Sequence, residues 1–218
     1  MTLKLNGSSS GSVALDAPTS TTSGADITFK LPVADGTAGQ VLQTDGSGNL
    51  SWVSLKQWVH GTATTAGTGD TYTFTGIPST AKRIVVTFEN LSPATAAAEL
   101  LAKVGNSSGI LSSGYVSTGG HWYGSGSAVT NYTNAHRFGQ GNYTDLSNTW
   151  DGIWTLYNVK DNIWVSQSHA SPSSGSTSFQ IGDSKIDTSS ALTQIQLGWN
   201  DGSAVFDGGF VTVDYLVG

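Results

Sequence analysis

The sequence predicts an all-β fold, an antiparallel β-sandwich of jelly-roll type, and three observations support that class. The 218-residue chain contains 28 glycines, and charged residues make up only 11% of it. Seven Trp, seven Tyr and seven Phe argue against disorder. Apolar residues alternate with polar ones in short runs between turn signals, and no long helical period interrupts them.

Residues 1–55 are predicted to form an extended amino-terminal β arm for attachment and trimerisation. Short apolar pieces are separated by polar runs such as NGSSSGS and APTSTTSG, so the arm cannot bury enough apolar area to fold alone. We expect it to order by docking or by winding with identical chains into a homotrimer. The attachment and trimerisation candidates are Leu3, Leu5, Val13, Leu15, Phe29, Leu31, Val41, Leu42 and Trp52.

Two Asp-Gly pairs in this arm, Asp35-Gly36 and Asp45-Gly46, predict tight turns with positive backbone angles. The run that begins at Asp45 is similar to the start of a calcium loop. However, Leu50 stands where that loop needs glycine, and no glutamate closes it. A hairpin turn explains the run better than a metal site does.

Residues 56–218 are predicted to form the carboxy-terminal sandwich. Tyr72 and Phe74 alternate with threonines, and Ile84, Val86 and Phe88 alternate with outward-facing residues. The further strand candidates are 97–104, 153–159, 163–167, 193–199 and 210–217. The run 94–101 has a short helix as its alternative. A domain of this size buries about 70% of the surface of its unfolded chain, enough for a core of its own.

Charge and composition argue against several classes of function. A formal net charge of −6 with scattered basic residues disfavours a nucleic-acid partner. The chain has no cysteine, so neither a disulfide framework nor a thiolate zinc site is available. The first residues lack the apolar run of a conventional signal peptide, and no membrane insertion is expected.

Catalytic and metal-binding patterns have simpler explanations. Cleavage of polysaccharide needs paired carboxylates, but the chain has only two glutamates, Glu89 and Glu99, and five of its aspartates precede glycine in predicted turns. The four histidines show no metal-binding spacing. We therefore expect a protein that is not an enzyme and has no catalytic residue, metal or cofactor.

Aromatic residues concentrate between Gly114 and Trp150, in a Gly/Ser/Asn/Thr-rich stretch that suggests loops. Ring faces stack on apolar sugar faces while amides bond sugar hydroxyls, so the stretch fits a glycan-binding surface. The glycan-binding candidates are Trp122, Tyr123, Tyr132, His136, Tyr143 and Trp150. Packing at the sandwich ends or a trimer seam explains them equally well. Trp154, Trp164 and Trp199 alternate within strands and are expected in the core or an interface.

Four segments carry a resemblance to a known family. The first is LPVADGTAGQVLQTDGSGNLSWV, residues 31–53; the others are YTFTGIPSTAKRIVVTFENLS, DGIWTLYNVKDNIWVSQ and FDGGFVTVDYLV, at residues 72–92, 151–167 and 206–217. The first resembles a segment that recurs in fibre proteins of tailed bacteriophages. The others are similar to the carboxy-terminal β-domain of many such fibres. This chain is short for that family, since typical tail fibres have much longer shafts.

The resemblance implies a trimeric virion fibre on the particle surface, anchored by residues 1–55 and displaying the sandwich outward. Its partners would be capsid, tail or baseplate proteins and host-surface polysaccharide. Two alternatives remain open. One is a head-fibre or capsid-decoration protein that stabilises the particle and binds no ligand; the other is a carbohydrate-binding module.

Overall fold

A computed structural model describes residues 3–6, 9–15, 18–21, 24–66, 69–94, 99–123, 126–138, 149–172, 178–199 and 204–217. The side chains of Val13 and Tyr123 lie outside this description. The chain divides into two compact units, residues 1–55 and 56–218. Strands and turns make up the described residues, with no α-helix, so no described helix could span a bilayer. The prediction of an all-β antiparallel fold is confirmed.

The described residues of the first unit form two separate antiparallel hairpins. Their strands are β1 (Leu3–Asn6), β2 (Ser12–Leu15), β3 (Gln40–Thr44) and β4 (Leu50–Ser54). Asp45 organises the β3–β4 turn, because one carboxylate oxygen accepts the Ser47 amide at 2.7 Å and the other accepts the Asn49 side chain at 2.6 Å. These bonds, first the one from the Asn49 side chain, lower the pKa of Asp45. The hairpin turn predicted here is present.

The prediction of a turn at Asp35-Gly36 is wrong. The turn lies three residues later, where the Gln40 amide donates to the Thr37 carbonyl at 3.1 Å and Gly39 takes the positive φ of 85°. Gly36 is needed for a different reason: a Cβ there would lie 2.6 Å from Cδ2 of Trp52. The Trp52 indole covers this backbone and donates to the Ala34 carbonyl at 2.9 Å.

The described part of the second unit contains two antiparallel sheets. Its strands are β5 (Gln57–Val59), β6 (Thr64–Thr65), β7 (Thr71–Phe74), β8 (Ala81–Pro93), β9 (Leu100–Asn106), β10 (Gly109–Ile110), β11 (Val116–Tyr123), β12 (Gly126–Tyr132), β13 (His136–Arg137), β14 (Trp150–Lys160), β15 (Ile163–Pro172), β16 (Ser178–Asp187), β17 (Gln194–Trp199) and β18 (Phe206–Val217). The nine-stranded sheet has the order β12-β11-β16-β15-β14-β8-β18-β5, with β6 also on β18. The five-stranded sheet has the order β10-β9-β17-β7, with β13 also on β9.

The core lies between these two sheets. Period-two alternation turns Val86 of β8 and Trp154 of β14 inward from the nine-stranded sheet, while Val104 of β9 and Leu197 of β17 face them from the other sheet. All four are at most 1% exposed. Trp164 and Trp199 belong to the same core, as the strand alternation predicted.

Two local predictions differ from the structure. The helix alternative for residues 94–101 is wrong at its described end, since Leu100 and Leu101 begin β9. The loops expected after Gly114 are largely strands, because β11 and β12 form a hairpin at the edge of the nine-stranded sheet. Pairing with β16 accommodates the glycines of β11, which looked like loop residues in the sequence.

Candidate functional site

The outer face of the nine-stranded sheet carries the candidate site. Because Trp154 and Leu156 point into the core, the alternate residues Thr155 and Tyr157 of β14 point away from it. The same alternation turns Gln167 of β15 and Asp183 of β16 outward. The strand register then fixes which outward side chains are neighbours across the sheet.

A polar row runs across five central strands and onto the edge strand β12. Directly opposed residues share a face in an antiparallel pair, so this row can be followed through successive pairs. Its polar members are Thr155, Gln167, Asp183, Thr118 and Asn131, and the apolar Val85 of β8 stands opposite Thr155 at its end. The Thr118 hydroxyl donates to the Asn131 side-chain oxygen at 3.0 Å. The side-chain amide of Gln167 and the carboxylate of Asp183 have no hydrogen-bond partner among the described residues.

One side of the polar row is aromatic and cationic. Arg83 of β8 stands opposite Tyr157 of β14, and its guanidinium carbon lies 4.9 Å from the centre of the Tyr157 ring. On its other side, the same carbon lies 5.6 Å from the Trp58 ring. On the next two strands, Val165 of β15 stands opposite Tyr157, and Lys185 of β16 stands opposite Val165. Cation–π contacts on both sides restrict the position of the guanidinium.

The other side of the polar row is apolar and aromatic. Ile153, His169 and Ile181 are neighbours across β14, β15 and β16. The ring of His169 lies 4.7 Å from that of Phe179, and Phe179 lies 5.8 Å from Trp122. Trp122 is 51% exposed and Phe179 40%. These three rings form an exposed ladder that extends from the polar row to β11.

Two depressions of about 330 and 490 Å³ lie along the polar row. They share Tyr157, Gln167 and Asp183, so they form one continuous surface, which we call the outer cleft. The smaller one is also lined by Lys185, and the larger one by Arg83. Every lining residue belongs to β8, β11, β14, β15 or β16. A site on strands is more rigid than one on loops.

The chemistry of the outer cleft suits a polar ligand with flat apolar faces. Gln167 offers both a donor and an acceptor, Asp183 accepts hydrogen bonds, and Arg83 and Lys185 donate them. Aromatic rings at either side provide stacking surfaces. Volumes of 330 and 490 Å³ fall within the range of about 300–1,000 Å³ that is typical of small-ligand sites.

The structure separates the glycan-binding candidates that the sequence suggested. Trp122 lies on the outer face as part of the aromatic ladder. Tyr123 ends β11, with a side chain outside the described set, and Tyr143 lies outside the described residues altogether. Tyr132 is on the inner side of β12, where Arg137 lies 4.2 Å above its ring. Burial, followed by the charge of Glu99, raises the pKa of Tyr132.

Two candidates are corrected, since His136 and Trp150 do not reach the surface. His136 is 0% exposed and Trp150 is 4% exposed, so neither can stack on a glycan in this fold. Trp150 belongs to the core cluster. This burial was not predictable from the sequence, because both residues flank a polar, glycine-rich stretch that resembles a loop.

His136 is the centre of a buried polar network between the sheets. Its Nδ1 lies 3.1 Å from the hydroxyls of Ser166 and Ser184, and its Nε2 lies 2.8 Å from that of Ser168. The imidazole also stacks on Trp154 at 5.3 Å. Burial lowers the pKa of His136 to about 3, so the ring is neutral at physiological pH.

A neighbouring ion pair also lies inside the sandwich. The Arg137 guanidinium bonds the Glu99 carboxylate, and both residues are 8% exposed. Gly182 allows β13 to approach β16 here, because a Cβ on it would lie 1.8 Å from the Arg137 carbonyl oxygen. These buried polar contacts position β13; they do not contribute to the outer cleft.

The attachment candidates of residues 1–55 are exposed. Leu3 and Leu15 stand opposite each other in the first hairpin, and Leu42 stands opposite Trp52 in the second. The exposed fractions are 58% for Leu3, 57% for Leu5, 65% for Leu15, 64% for Phe29, 66% for Leu31, 38% for Val41, 44% for Leu42 and 37% for Trp52. Two-stranded hairpins cannot bury such side chains by themselves.

Most of the cleft residues were not predicted from the sequence, namely Arg83, Tyr157, Gln167, His169, Phe179 and Asp183. A signal was present in the strand segments: once Trp154 is assigned to the core, its neighbours Thr155 and Ile153 must face outward. The register between strands was not readable from the sequence. The chain matches no protein-family model, no curated protein and no solved structure.

Proposed function

We propose that this protein is a non-enzymatic fibre or decoration protein of a tailed-phage particle, in which the sandwich adheres to host-surface glycans through the outer cleft. Residues 1–55 would attach it to the particle and associate with identical arms in a homotrimer. The virion assignment is supported by the resemblance of residues 31–53 to phage fibre segments. The adhesive role is supported by the chemistry of the outer cleft.

The observation that carries the adhesive role is the pair of unpartnered polar side chains, Gln167 and Asp183, beside exposed rings on a rigid sheet. A sugar hydroxyl can both donate and accept, so it can satisfy both groups while a ring face covers the sugar. Asp183 is the only carboxylate among the described lining residues. Glycoside hydrolysis normally uses two carboxylates, so binding accounts for this surface better than cleavage.

Weak individual sites suit an adhesin when several of them are joined. Each stacking contact contributes about 0.5–1.5 kcal/mol. A trimer presents three copies of the cleft. Once one copy has bound, the effective local concentration of ligand at the other two is high, so the trimer adheres more strongly than a single copy does. The exposed leucines of the first hairpin support such association, since an apolar patch of this kind marks a contact surface.

The adhesive role can be tested with the full-length protein on immobilised bacterial surface polysaccharides. We expect Trp122→Ala and Gln167→Ala each to weaken adhesion several-fold, because each removes a stacking surface or a hydrogen bond. The matched control is Phe210→Ala, which removes a 49% exposed ring on β18 outside the cleft. If both cleft variants fold and adhere like the parent, the adhesive role is wrong.

A second candidate function is a ligand-free decoration protein that stabilises the particle. The observation that favours it is the exposure of Val116 and Val129, 72% and 68%, near the edge of the same face. These side chains would pack against a neighbouring virion subunit. Antibody labelling of intact particles gives its position on head or tail, and loss of particle stability without loss of adhesion in Val129→Ser would favour this candidate.

A further inference from the structure

We propose that the ligand of the outer cleft is an acidic saccharide, and that Arg83 binds its carboxylate or phosphate group. This inference rests on the proposed adhesive function and specifies the ligand class. It depends on three features of Arg83: its confinement by two rings, the lack of a counter-ion, and its place in the larger depression.

Arg83 is held in position before any ligand arrives. Its guanidinium lies between the rings of Trp58 and Tyr157, at 5.6 and 4.9 Å from their centres. Trp58 comes from β5 and Tyr157 from β14, which lie on opposite sides of β8 in the sheet. A guanidinium fixed in this way loses little further freedom when its planar fork binds an oxyanion.

The Arg83 charge has no partner in the described part of the chain. No described side chain forms an ion pair with it, and its Nε is buried without a hydrogen bond. Asp214 on the adjacent strand β18 is already engaged, since its carboxylate binds His60 at 2.9 Å and the Gly61 amide at 2.9 Å. A ligand oxyanion would supply the counter-charge that the described residues do not provide.

The one carboxylate of the cleft does not prevent an acidic group from binding at Arg83. Asp183 lies on β16, three strands from β8, or about 14 Å at the usual inter-strand spacing. That separation exceeds the Debye length of about 8 Å at physiological ionic strength. Lys185, two residues from Asp183 on the same face, adds at the other depression a second cation that forms no ion pair with a described residue. Asp183 would accept hydroxyls from a neighbouring sugar.

Saccharides fit the cleft better than a small inorganic anion does. The larger depression also contains Ile153, Gln167 and His169, which an isolated phosphate would leave without contacts. A sugar acid places its charged group on Arg83 and its ring against these neighbours. Bidentate pairing of guanidinium with carboxylate or phosphate is about twice as strong as a neutral hydrogen bond.

The test uses the full-length protein on three immobilised probes: polygalacturonate, the same polymer with its carboxylates methyl-esterified, and a phosphate-bearing teichoic acid. A set of neutral and acidic bacterial surface polysaccharides is tested alongside these three probes. We expect Arg83→Gln to weaken binding to acidic members about tenfold or more and to weaken binding to neutral members much less, because only acidic members lose a charge-assisted pair. The control Lys103→Gln removes one charge from β9 in the five-stranded sheet and should change binding less than about twofold.

Esterification provides a test that needs no variant. The parent protein should lose binding to an acidic polymer when its charges are capped, and the choice between polygalacturonate and teichoic acid separates carboxylate from phosphate. Equal binding to capped and uncapped polymers, or preference for neutral members, would overturn the acidic ligand while leaving the adhesive function intact. Binding to no polysaccharide of the set would overturn both.

Discussion

Acidification should destabilise the sandwich through His136, whose neutral form is fixed by burial. The folded-state pKa of about 3 lies below the unfolded value of 6.5. The unfolded chain therefore binds a proton below pH 6.5 that the folded chain does not bind until about pH 3. The contribution of neutral His136 to the free energy of unfolding is complete above pH 6.5. It is lost as the pH falls from 6.5 to about 3, at about 1.4 kcal/mol per pH unit.

The contacts of His136 predict the effect of replacing it with Gln. His136→Gln removes the titrating group and disturbs the bonds to Ser166, Ser168 and Ser184. We expect it to be less stable than the parent at pH 7 by about 1–3 kcal/mol, because buried hydroxyls lose partners. Between pH 6 and 4, the free energy of unfolding of His136→Gln should fall less steeply with decreasing pH than that of the parent. The two slopes should differ by about 1.4 kcal/mol per pH unit.

Urea unfolding at pH 7, 6, 5 and 4, followed by tryptophan fluorescence, measures both quantities. All seven tryptophans contribute to this signal, and one of them, Trp154, stacks on His136 at 5.3 Å. His169→Gln, a change to an exposed histidine, is the control for the substitution itself. Parallel pH slopes for the parent and His136→Gln would show that His136 is not the proton-linked group.

Three further predictions concern packing and assembly. Trp154→Ala should cost about 3–5 kcal/mol in urea unfolding, since it empties a core site that is 1% exposed. Gly36→Ala should displace the Trp52 indole, visible as a shifted indole N–H resonance, whereas Gly69→Ala, with its nearest contact at 3.4 Å, should not shift it. Replacing Leu3, Leu5 and Leu15 by Ser should lower the trimer fraction in sedimentation, and an unchanged fraction, or a monomeric parent at micromolar concentration, would contradict homotypic arm association.

The fold class was predictable because it depends on local alternation. Ile84, Val86 and Phe88 of β8 face the core as the sequence indicated, and the Asp45 turn forms where an Asp-Gly pair stands. The β11–β12 hairpin was not predictable from local composition. Its glycines look like loop residues, and pairing with β16 gives them a place in the sheet.

The outer cleft was harder to predict than the core. Arg83 and Tyr157 are far apart in sequence, and only the β8–β14 register makes them neighbours. The burial of His136 depends likewise on Ser166 and Ser168, which face inward because they alternate in phase with Trp164. The alternation of these serines was visible in the sequence, but their contact with His136 was not.

Hydroxyl-radical footprinting shows most directly whether the outer cleft binds glycan. The measurement compares oxidation of the free protein with that of the protein saturated by the polysaccharide that binds it most tightly. We predict protection of Trp58, Trp122 and Phe179, which flank the outer cleft, and no protection of Phe210, which is 49% exposed on β18. Equal oxidation of the cleft aromatics with and without bound polysaccharide would contradict the account.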